Sequence, residues 1–86
     1  MQSYAVESFW TAYKTLPENV QKVADKKYEL WRKEPFHPSL YFKCVDSRDN
    51  IWSVRITQKY RALAVREGND IVWFWIGDHD TYMKIL

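Results

Sequence analysis

Four short segments with strand character occupy the second half of the chain, and they constrain the fold more than any other feature. They cover residues 40–45, 51–57, 60–66 and 71–76 and are rich in apolar, β-branched and aromatic side chains. The connections between them are short, and two of them are rich in Asp, Asn and Gly, as tight hairpin turns require. Since hairpins join neighbouring antiparallel strands, the pattern predicts an antiparallel β-meander.

The first half of the chain has helical periodicity instead. Apolar residues at helical spacing predict a short helix over residues 8–15. A second helix is predicted from Pro17, because proline is tolerated at the first helical position, to just before Pro35, because the residue preceding a proline avoids helical geometry. Residues 1–6 alternate only weakly and form either an edge strand or a disordered lead-in. Helices followed by strands predict an α+β fold with two N-terminal helices on one sheet face.

The last predicted strand does not alternate between apolar and polar residues. Residues 71–76 are apolar throughout, whereas two helices can cover only one face of a sheet. The segment is therefore either a central strand buried on both faces, or its second face is covered by something else. The cover is either the chain end, residues 83–86, or another protein, because exposed apolar surface often marks an interface.

The length of 86 residues corresponds to a single domain over residues 1–86, and the formal net charge of +2 makes it mildly basic. Between residues 43 and 66, Lys and Arg outnumber Asp and Glu. This excess suits a phosphate-containing partner, but polar strand faces carry Lys and Arg in any case. The single cysteine, Cys44, excludes an internal disulfide and fits a reducing compartment. No signal peptide or membrane span is recognisable, so we expect a cytoplasmic protein without a membrane partner.

The sequence offers little to a metal ion or to a nucleotide cofactor. His37 and His79 are the only histidines, and no pair of His or Cys has the spacing of a metal site. Two glycines in the whole chain cannot form a glycine-rich phosphate loop. We therefore expect neither a metal nor another cofactor.

An arginine, a histidine and a tyrosine lie in or just after the last two predicted strands: Arg61, His79 and Tyr82. Cleavage of RNA without a metal requires deprotonation of a 2′-hydroxyl, stabilisation of the phosphate charge and protonation of the leaving 5′-oxygen. Histidine transfers protons near neutral pH, the planar fork of arginine binds phosphate, and tyrosine orients a phosphate, stacks on a base or shares in proton transfer. These three side chains are the candidate catalytic residues.

Each candidate also has a purely structural interpretation. His79 lies between two aspartates and is equally well explained as a turn residue, and Tyr82 as an anchor of the C-terminus in the core. Arg55 lies on a polar strand face, where arginines are commonly only solvated. Arg61 has apolar neighbours, so its charge requires a partner.

Short motifs spread over nearly the entire chain carry a resemblance to a known family. They are FW at 9–10, LP at 16–17, PFHPSL at 35–40, WSVR at 52–55, YRAL at 60–63, WFWIG at 73–77 and HDTY at 79–82. In this order they resemble the RelE/ParE superfamily of toxins from bacterial type II toxin–antitoxin systems. The resemblance implies two helices packed on a small, strongly twisted antiparallel sheet, which agrees with the pattern described above.

The resemblance also implies an activity and partners. RelE-like members cut mRNA in the ribosomal A site without a metal and leave a 2′,3′-cyclic phosphate, whereas ParE-like members share the fold and inhibit DNA gyrase. A cognate antitoxin binds the toxin and blocks it. The implied partners are therefore an antitoxin and mRNA on the ribosome, with gyrase as the alternative target.

Individual residues can be carried over by position. Arg61 corresponds to the strand arginine that acts on the scissile phosphate, and His79 and Tyr82 correspond to the C-terminal His or Tyr of the acid–base step. Arg55 and Lys59 correspond to further phosphate contacts, and Lys43 joins this RNA- and phosphate-binding set. The short segment after Tyr82 leaves little room for the C-terminal helix that some members carry.

The expected function is that of a metal-independent, ribosome-dependent mRNA endonuclease toxin that inhibits translation. Three alternatives remain open at this stage. The chain is a ParE-like, non-enzymatic inhibitor of DNA gyrase, a degenerate toxin that acts only as a protein-binding module, or an RNA-binding domain that does not cleave.

Overall fold

The computed structural model describes residues 1–85, and its helices and strands follow the predicted order with one addition at each end. The elements are β1 (Gln2–Ala5), α1 (Glu7–Lys14), α2 (Glu18–Lys33), a 3-10 turn (Pro38–Leu40), β2 (Lys43–Asp46), β3 (Ile51–Arg55), β4 (Tyr60–Glu67), β5 (Asp70–Asp78) and α3 (His79–Ile85). The α+β class predicted from the sequence is confirmed. None of the helices within residues 1–85 is both long enough and apolar enough to span a membrane.

The five strands form one sheet in the order β1-β5-β4-β3-β2. Strands β2 to β5 make antiparallel pairs with their neighbours in sequence, which confirms the predicted meander. Strand β1 pairs with β5 in parallel, from Gln2 opposite Asp70 to Ala5 opposite Trp73. Residues 1–6 therefore include an edge strand rather than a disordered lead-in, and the complete sheet is mixed rather than purely antiparallel.

A β-bulge in β5 explains why its sequence does not alternate. The register with β4 shifts so that Leu63 opposes Trp75 whereas Ala64 opposes Trp73, and Phe74 is the extra residue. A bulge adds one residue to one strand and changes which face the following side chains occupy. Trp73 and Ile76 thus both belong to the buried core, although three positions separate them.

The core lies between the two N-terminal helices and one face of the sheet. Its buried apolar residues are Leu16, Val20, Ala24, Trp31, Leu40, Phe42, Val54, Ile56, Ala62, Ala64, Ile71, Trp73 and Ile76. At its centre, the Trp31 ring meets the rings of Phe42 and Trp73 edge to face, with centroid distances of 5.8 and 5.3 Å. Edge-to-face pairs of this kind add about 0.5–1.5 kcal/mol beyond the burial of their area.

The strand predicted over residues 40–45 begins later than expected. Leu40 is fully buried and ends a 3-10 turn, and Tyr41 has a left-handed backbone with φ of 47°. The Nδ1 atom of His37 accepts a hydrogen bond from the Ser39 amide, which stabilises the start of the turn. The prediction was therefore wrong for residues 40–42, because local capping and the burial of Leu40 outweigh the strand pattern.

The C-terminal segment forms a helix, contrary to the expectation that it leaves little room for one. Asp78 caps α3, since its Oδ1 accepts a hydrogen bond of 2.8 Å from the Thr81 amide. The same contact to Thr81 stabilises the carboxylate and holds the pKa of Asp78 below its usual value. Met83 and Ile85 stay 60% and 44% exposed, so this end does not bury its apolar side chains on the sheet. Leu86, also part of the predicted cover, lies outside the described residues.

Candidate functional site

The face of the sheet turned away from α1 and α2, here called the open face, carries most of the residues singled out from the sequence. Alternate residues of each strand belong to it, because successive side chains of a strand point to opposite faces. Arg55 on β3 is directly opposite Arg61 on β4, and Arg61 is opposite Gly77 on β5. Like charges in this arrangement repel each other, so the pair favours an anion between or above the two guanidinium groups.

Backbone carbonyl groups hold the Arg61 side chain in place. Its Nη1 atom donates hydrogen bonds to the carbonyl oxygens of Thr57, Gln58 and Tyr60, at 2.6, 3.2 and 3.0 Å. Burial and, after it, the nearby Arg55 lower the pKa of Arg61, while the Tyr82 phenol acts in the opposite direction. An arginine stays charged despite such a shift. Among the described residues its hydrogen bonds involve Nη1 only, which leaves Nε and Nη2 for a ligand.

His79 and Tyr82 lie in α3 at the same end of the sheet. The His79 amide donates a hydrogen bond of 2.6 Å to the Lys59 carbonyl and so joins the start of α3 to the β3–β4 turn. The two rings are one helical turn apart, with centroids separated by 5.5 Å and planes inclined by 30°. His79 is exposed, whereas Tyr82 is half-buried near Arg61. The fold thus brings together the three residues predicted to be catalytic.

The residues predicted to bind phosphate do not all lie at the same distance from Arg61. Arg55 lies beside Arg61, as described above. Lys59 is exposed in the β3–β4 turn, next to the start of α3. Lys43 belongs to the open face but is opposite Ser53, one row of residues away from the two arginines. The end of the sheet that holds Arg61 is therefore the basic end, and Lys43 lies at its margin.

Two aromatic residues beside the arginines were not recognised from the sequence. The Tyr41 ring lies against Arg55, whose guanidinium carbon is 5.0 Å from the ring centroid. The Trp75 indole extends along β5 over Gly77, so close that a Cβ atom at Gly77 would be 2.7 Å from its Cη2 atom. Tyr41 falls within a segment predicted as strand, and the position of Trp75 depends on the bulge. The sequence carries no clear signal for either position.

A cavity of about 370 Å³ lies on the opposite side of the sheet, between the helices and the core face. Its walls are mainly apolar and include the aromatic rings of Trp10, Tyr28 and Trp31, with Asp25 and Lys27 at its polar part. It contains neither the arginine pair nor the imidazole of His79. The residues predicted to bind a phosphate and to transfer protons are therefore at the open face, not in this cavity.

The polar side chains at the basic end of the open face are hydrogen-bond donors and cations that suit an anionic ligand. In the part of the chain that the structure describes, no cluster of three or more His, Cys, Asp or Glu side chains could hold a metal ion. The basic end instead combines two guanidinium groups, an imidazole and a phenol. Together these groups can bind a phosphate diester, stabilise additional negative charge on it and exchange protons with its oxygens.

The sequence model for the ParE-like toxin domain matches residues 18–84, most of the chain and including all of the candidate residues. A search of curated proteins gave no significant match.

Solved structures of similar fold cover nearly the whole chain. The RelE protein in a RelB-RelE antitoxin–toxin complex from Methanococcus jannaschii superposes with a TM-score of 0.75 at 14% identity, covering 95% of this chain and 96% of that one. YafQ from E. coli strain BL21(DE3) gives 0.71 at 8% identity, with coverages of 94% and 96%. A YoeB/ParE toxin from Agrobacterium tumefaciens gives 0.69 at 16% identity, with coverages of 92% and 99%. At these identities the likeness concerns the fold.

Proposed function

This chain belongs to the family of ParE-like toxin domains and is a toxin of a type II toxin–antitoxin system, and from that premise we propose that it cleaves mRNA on the ribosome without a metal. The observation that carries the proposal is the convergence of Arg55, Arg61, His79 and Tyr82 at one end of the open face. A non-enzymatic protein binder does not require an imidazole, a phenol and two guanidinium groups in one place. A ribosomal target implies action in the cytoplasm.

The arginine pair binds the scissile phosphate in this proposal. The phosphate gains negative charge when the 2′-oxygen attacks, and Arg55 and Arg61 stabilise that charge. Three carbonyl groups already hold Arg61, and the Tyr41 ring already holds Arg55, so little reorganisation accompanies the reaction. Preorganised donors of this kind typically account for a factor of about 10²–10³ in rate each.

The proton transfers fall to α3. The 2′-hydroxyl loses its proton as its oxygen bonds to phosphorus, and the bond from phosphorus to the 5′-oxygen breaks as that oxygen gains a proton. His79 makes one of these transfers, since imidazole exchanges protons near neutral pH. Tyr82, within one helical turn of it and beside Arg61, orients the phosphate or shares in the other transfer. The products are a 2′,3′-cyclic phosphate and a 5′-hydroxyl end.

A cognate antitoxin is the second proposed partner. Among the proteins of similar fold, toxins were solved in complex with RelB-type antitoxins from Methanococcus jannaschii and, as RelBE2, from Mycobacterium tuberculosis. This chain also exposes large apolar side chains that a partner could cover, including Trp10 at 48% and Phe36 at 59%. Co-expression with the product of the adjacent gene should restore growth and yield a stable complex if this proposal holds.

The nuclease activity can be tested by mapping mRNA 5′ ends in cells after induction of the chain. Wild type should create new ends at ribosomal A-site positions, and Arg61→Ala and His79→Ala should abolish them. Arg48→Ala, in the exposed β2–β3 turn, is the matched control and should cleave like wild type. Circular dichroism of the purified variants checks that each is folded. Growth arrest without new mRNA ends would contradict the proposal.

Inhibition of DNA gyrase is the second candidate function, because the matching family is that of ParE-like toxin domains. It predicts growth arrest accompanied by DNA damage signalling rather than by cleaved mRNA. A supercoiling assay with purified gyrase distinguishes the two functions. Full supercoiling in the presence of excess toxin would exclude this candidate.

A further inference from the structure

The two arginines of the open face are flanked by an aromatic ring on each side. The Tyr41 ring contacts Arg55 on one side, and the Trp75 indole lies over Gly77, the cross-strand partner of Arg61, on the other. The order across the sheet is thus aromatic ring, arginine, arginine, aromatic ring. Neither ring belongs to the buried core between the helices and the sheet.

Trp75 is held on the open face by two features of β5. The bulge at Phe74 places Trp75 opposite Leu63 on this face instead of in the core. The absence of a side chain at Gly77, the cross-strand partner of Arg61, then leaves room for the indole above it. Leu63 is fully buried, and Trp75, its half-exposed cross-strand partner, leaves part of its ring accessible to a ligand.

Tyr41 is exposed at an energetically unfavourable backbone position. Tyr41 as a whole residue is 56% exposed, and its φ of 47° is one that residues other than glycine rarely adopt. Unfavourable conformations of this kind persist where surrounding structure enforces them, and they are concentrated at ligand-binding sites. The guanidinium group of Arg55 holds one side of the ring. The ring is therefore fixed in direction while much of its surface faces solvent.

The spacing of the strands beside which the two rings lie suits a pair of separated nucleobases. Arg55, Arg61 and Gly77 occupy one row across β3, β4 and β5, with the Tyr41 ring beside Arg55 and the Trp75 indole over Gly77. Adjacent strands are about 4.8 Å apart, so the two steps from β3 to β5 span about 10 Å. Two stacked bases cannot bridge this distance, but a dinucleotide with its bases splayed apart can. Its central phosphate would then lie at the arginine pair.

We propose that the open face binds single-stranded RNA with the two bases that flank the scissile phosphate stacked on Tyr41 and Trp75. This proposal rests on the proposed nuclease function, since it uses the same phosphate site, and extends it to the nucleosides on either side. Aromatic rings stack on every base, so these contacts provide affinity and position with little sequence preference. Loss of one such stack should raise Kd about 10-fold.

The test is a binding measurement that does not depend on cleavage. A fluorescently labelled RNA oligonucleotide, with a 2′-O-methyl group that blocks attack at one position, is titrated with the full chain. Tyr41→Ala and Trp75→Leu should each raise Kd about 10-fold. The leucine keeps apolar cover over Leu63 but cannot stack. Tyr4→Ala is the control, because Tyr4 is as exposed as Tyr41 but lies on edge strand β1.

Abasic nucleotides make the test specific for stacking. Removal of the base on one side of the blocked phosphate should abolish the increase in Kd caused by Tyr41→Ala but leave that caused by Trp75→Leu. Removal of the base on the other side should abolish the increase caused by Trp75→Leu but leave that caused by Tyr41→Ala. Gly77→Ala should behave like Trp75→Leu, because its methyl group displaces the indole. Trp75→Phe, which retains a ring, should restore most of the affinity.

The possible results separate this proposal from the nuclease function. Pairwise coupling between rings and bases, without mRNA cleavage in cells, supports the binding mode and rejects the nuclease. Cleavage that depends on Arg61, without any such coupling, rejects the stacking proposal alone. Variants that bind the oligonucleotide like wild type but lose affinity for the antitoxin would also overturn it, since the rings would then form a protein interface.

Discussion

Gly77→Ala provides the sharpest test of the geometry around Arg61. The added Cβ atom would lie 2.7 Å from Cη2 and 3.0 Å from Cε2 of the Trp75 indole, closer than folded proteins allow. The backbone at Gly77 does not have a positive φ, so alanine itself introduces no backbone strain. The indole must therefore move, and its movement uncovers Leu63, which is fully buried in the wild type. The loss of folding free energy in this variant is therefore set by the clash with the indole and not by the backbone conformation of alanine.

The size of the effect follows from this displacement. Overpacking of a well-packed site typically costs about 1–3 kcal/mol. A central value of about 2 kcal/mol should lower Tm by roughly 8–16 °C, since each kcal/mol shifts Tm by about 4–8 °C in a domain of this size. Typical domains have a free energy of unfolding of about 5–15 kcal/mol, so the variant should still fold. Urea unfolding followed by circular dichroism measures the free energy directly.

A double-mutant cycle checks the cause. In a Trp75→Leu background, the shorter side chain does not extend over position 77, so Gly77→Ala should cost less than about 0.5 kcal/mol. The difference between the two backgrounds is the energy of the clash. An equal cost in both backgrounds would refute the reasoning, because the methyl group would then be meeting something other than the indole.

Three further predictions concern the same end of the molecule. Leu63→Ala should lower the free energy of unfolding by about 2–5 kcal/mol in denaturant titrations, because it removes a fully buried side chain. A change in the free energy of unfolding near zero would mean that water already reaches this part of the open face. Arg61→Lys should reduce the rate of mRNA cleavage by about 100-fold, because lysine cannot reproduce the planar guanidinium fork that binds phosphate. A wild-type cleavage rate for this variant would contradict phosphate recognition by Arg61. The cap of α3 is ionised at neutral pH, and since the pKa of Asp78 is lowered in the folded chain, its contribution is present above the unfolded pKa and is lost as pH falls through the folded one; the protection of the Thr81 amide against hydrogen exchange, taken relative to its intrinsic exchange rate at each pH, should therefore fall in acid, and Asp78→Ala should remove this pH dependence.

The elements that could be predicted from the sequence are those set by local pattern. The meander and both N-terminal helices follow from periodicity, Pro17, Pro35 and the turn residues, and they appear with ends shifted by a few residues. The convergence of Arg61, His79 and Tyr82 also follows, because the ends of neighbouring antiparallel strands and the segment after them meet at one edge.

The features that escaped prediction depend on contacts between distant parts of the chain. The bulge at Phe74 is a register choice between β4 and β5, and a run of apolar residues carries no sign of it. The parallel pairing of β1 joins Gln2 to Asp70, which no local pattern encodes. Tyr41 has its position because Leu40 is buried in the core before β2 starts. Each case reflects tertiary packing that overrides local preference.

The parallel pairing of β1 has a consequence for the synthesis of this toxin. Strand β1 is made before β5, its neighbour in the sheet, and the other strands of residues 1–85 lie between the two in the sequence. The sheet therefore cannot close while residues 70–78 are still within the ribosome, and such distant pairing folds slowly compared with local contacts. Arg55 and Arg61 emerge before His79 and Tyr82. A nascent chain thus acquires its anion-binding groups before its proton-transfer groups, and under the proposed mechanism it becomes able to cut mRNA only after residues 79–82 have emerged.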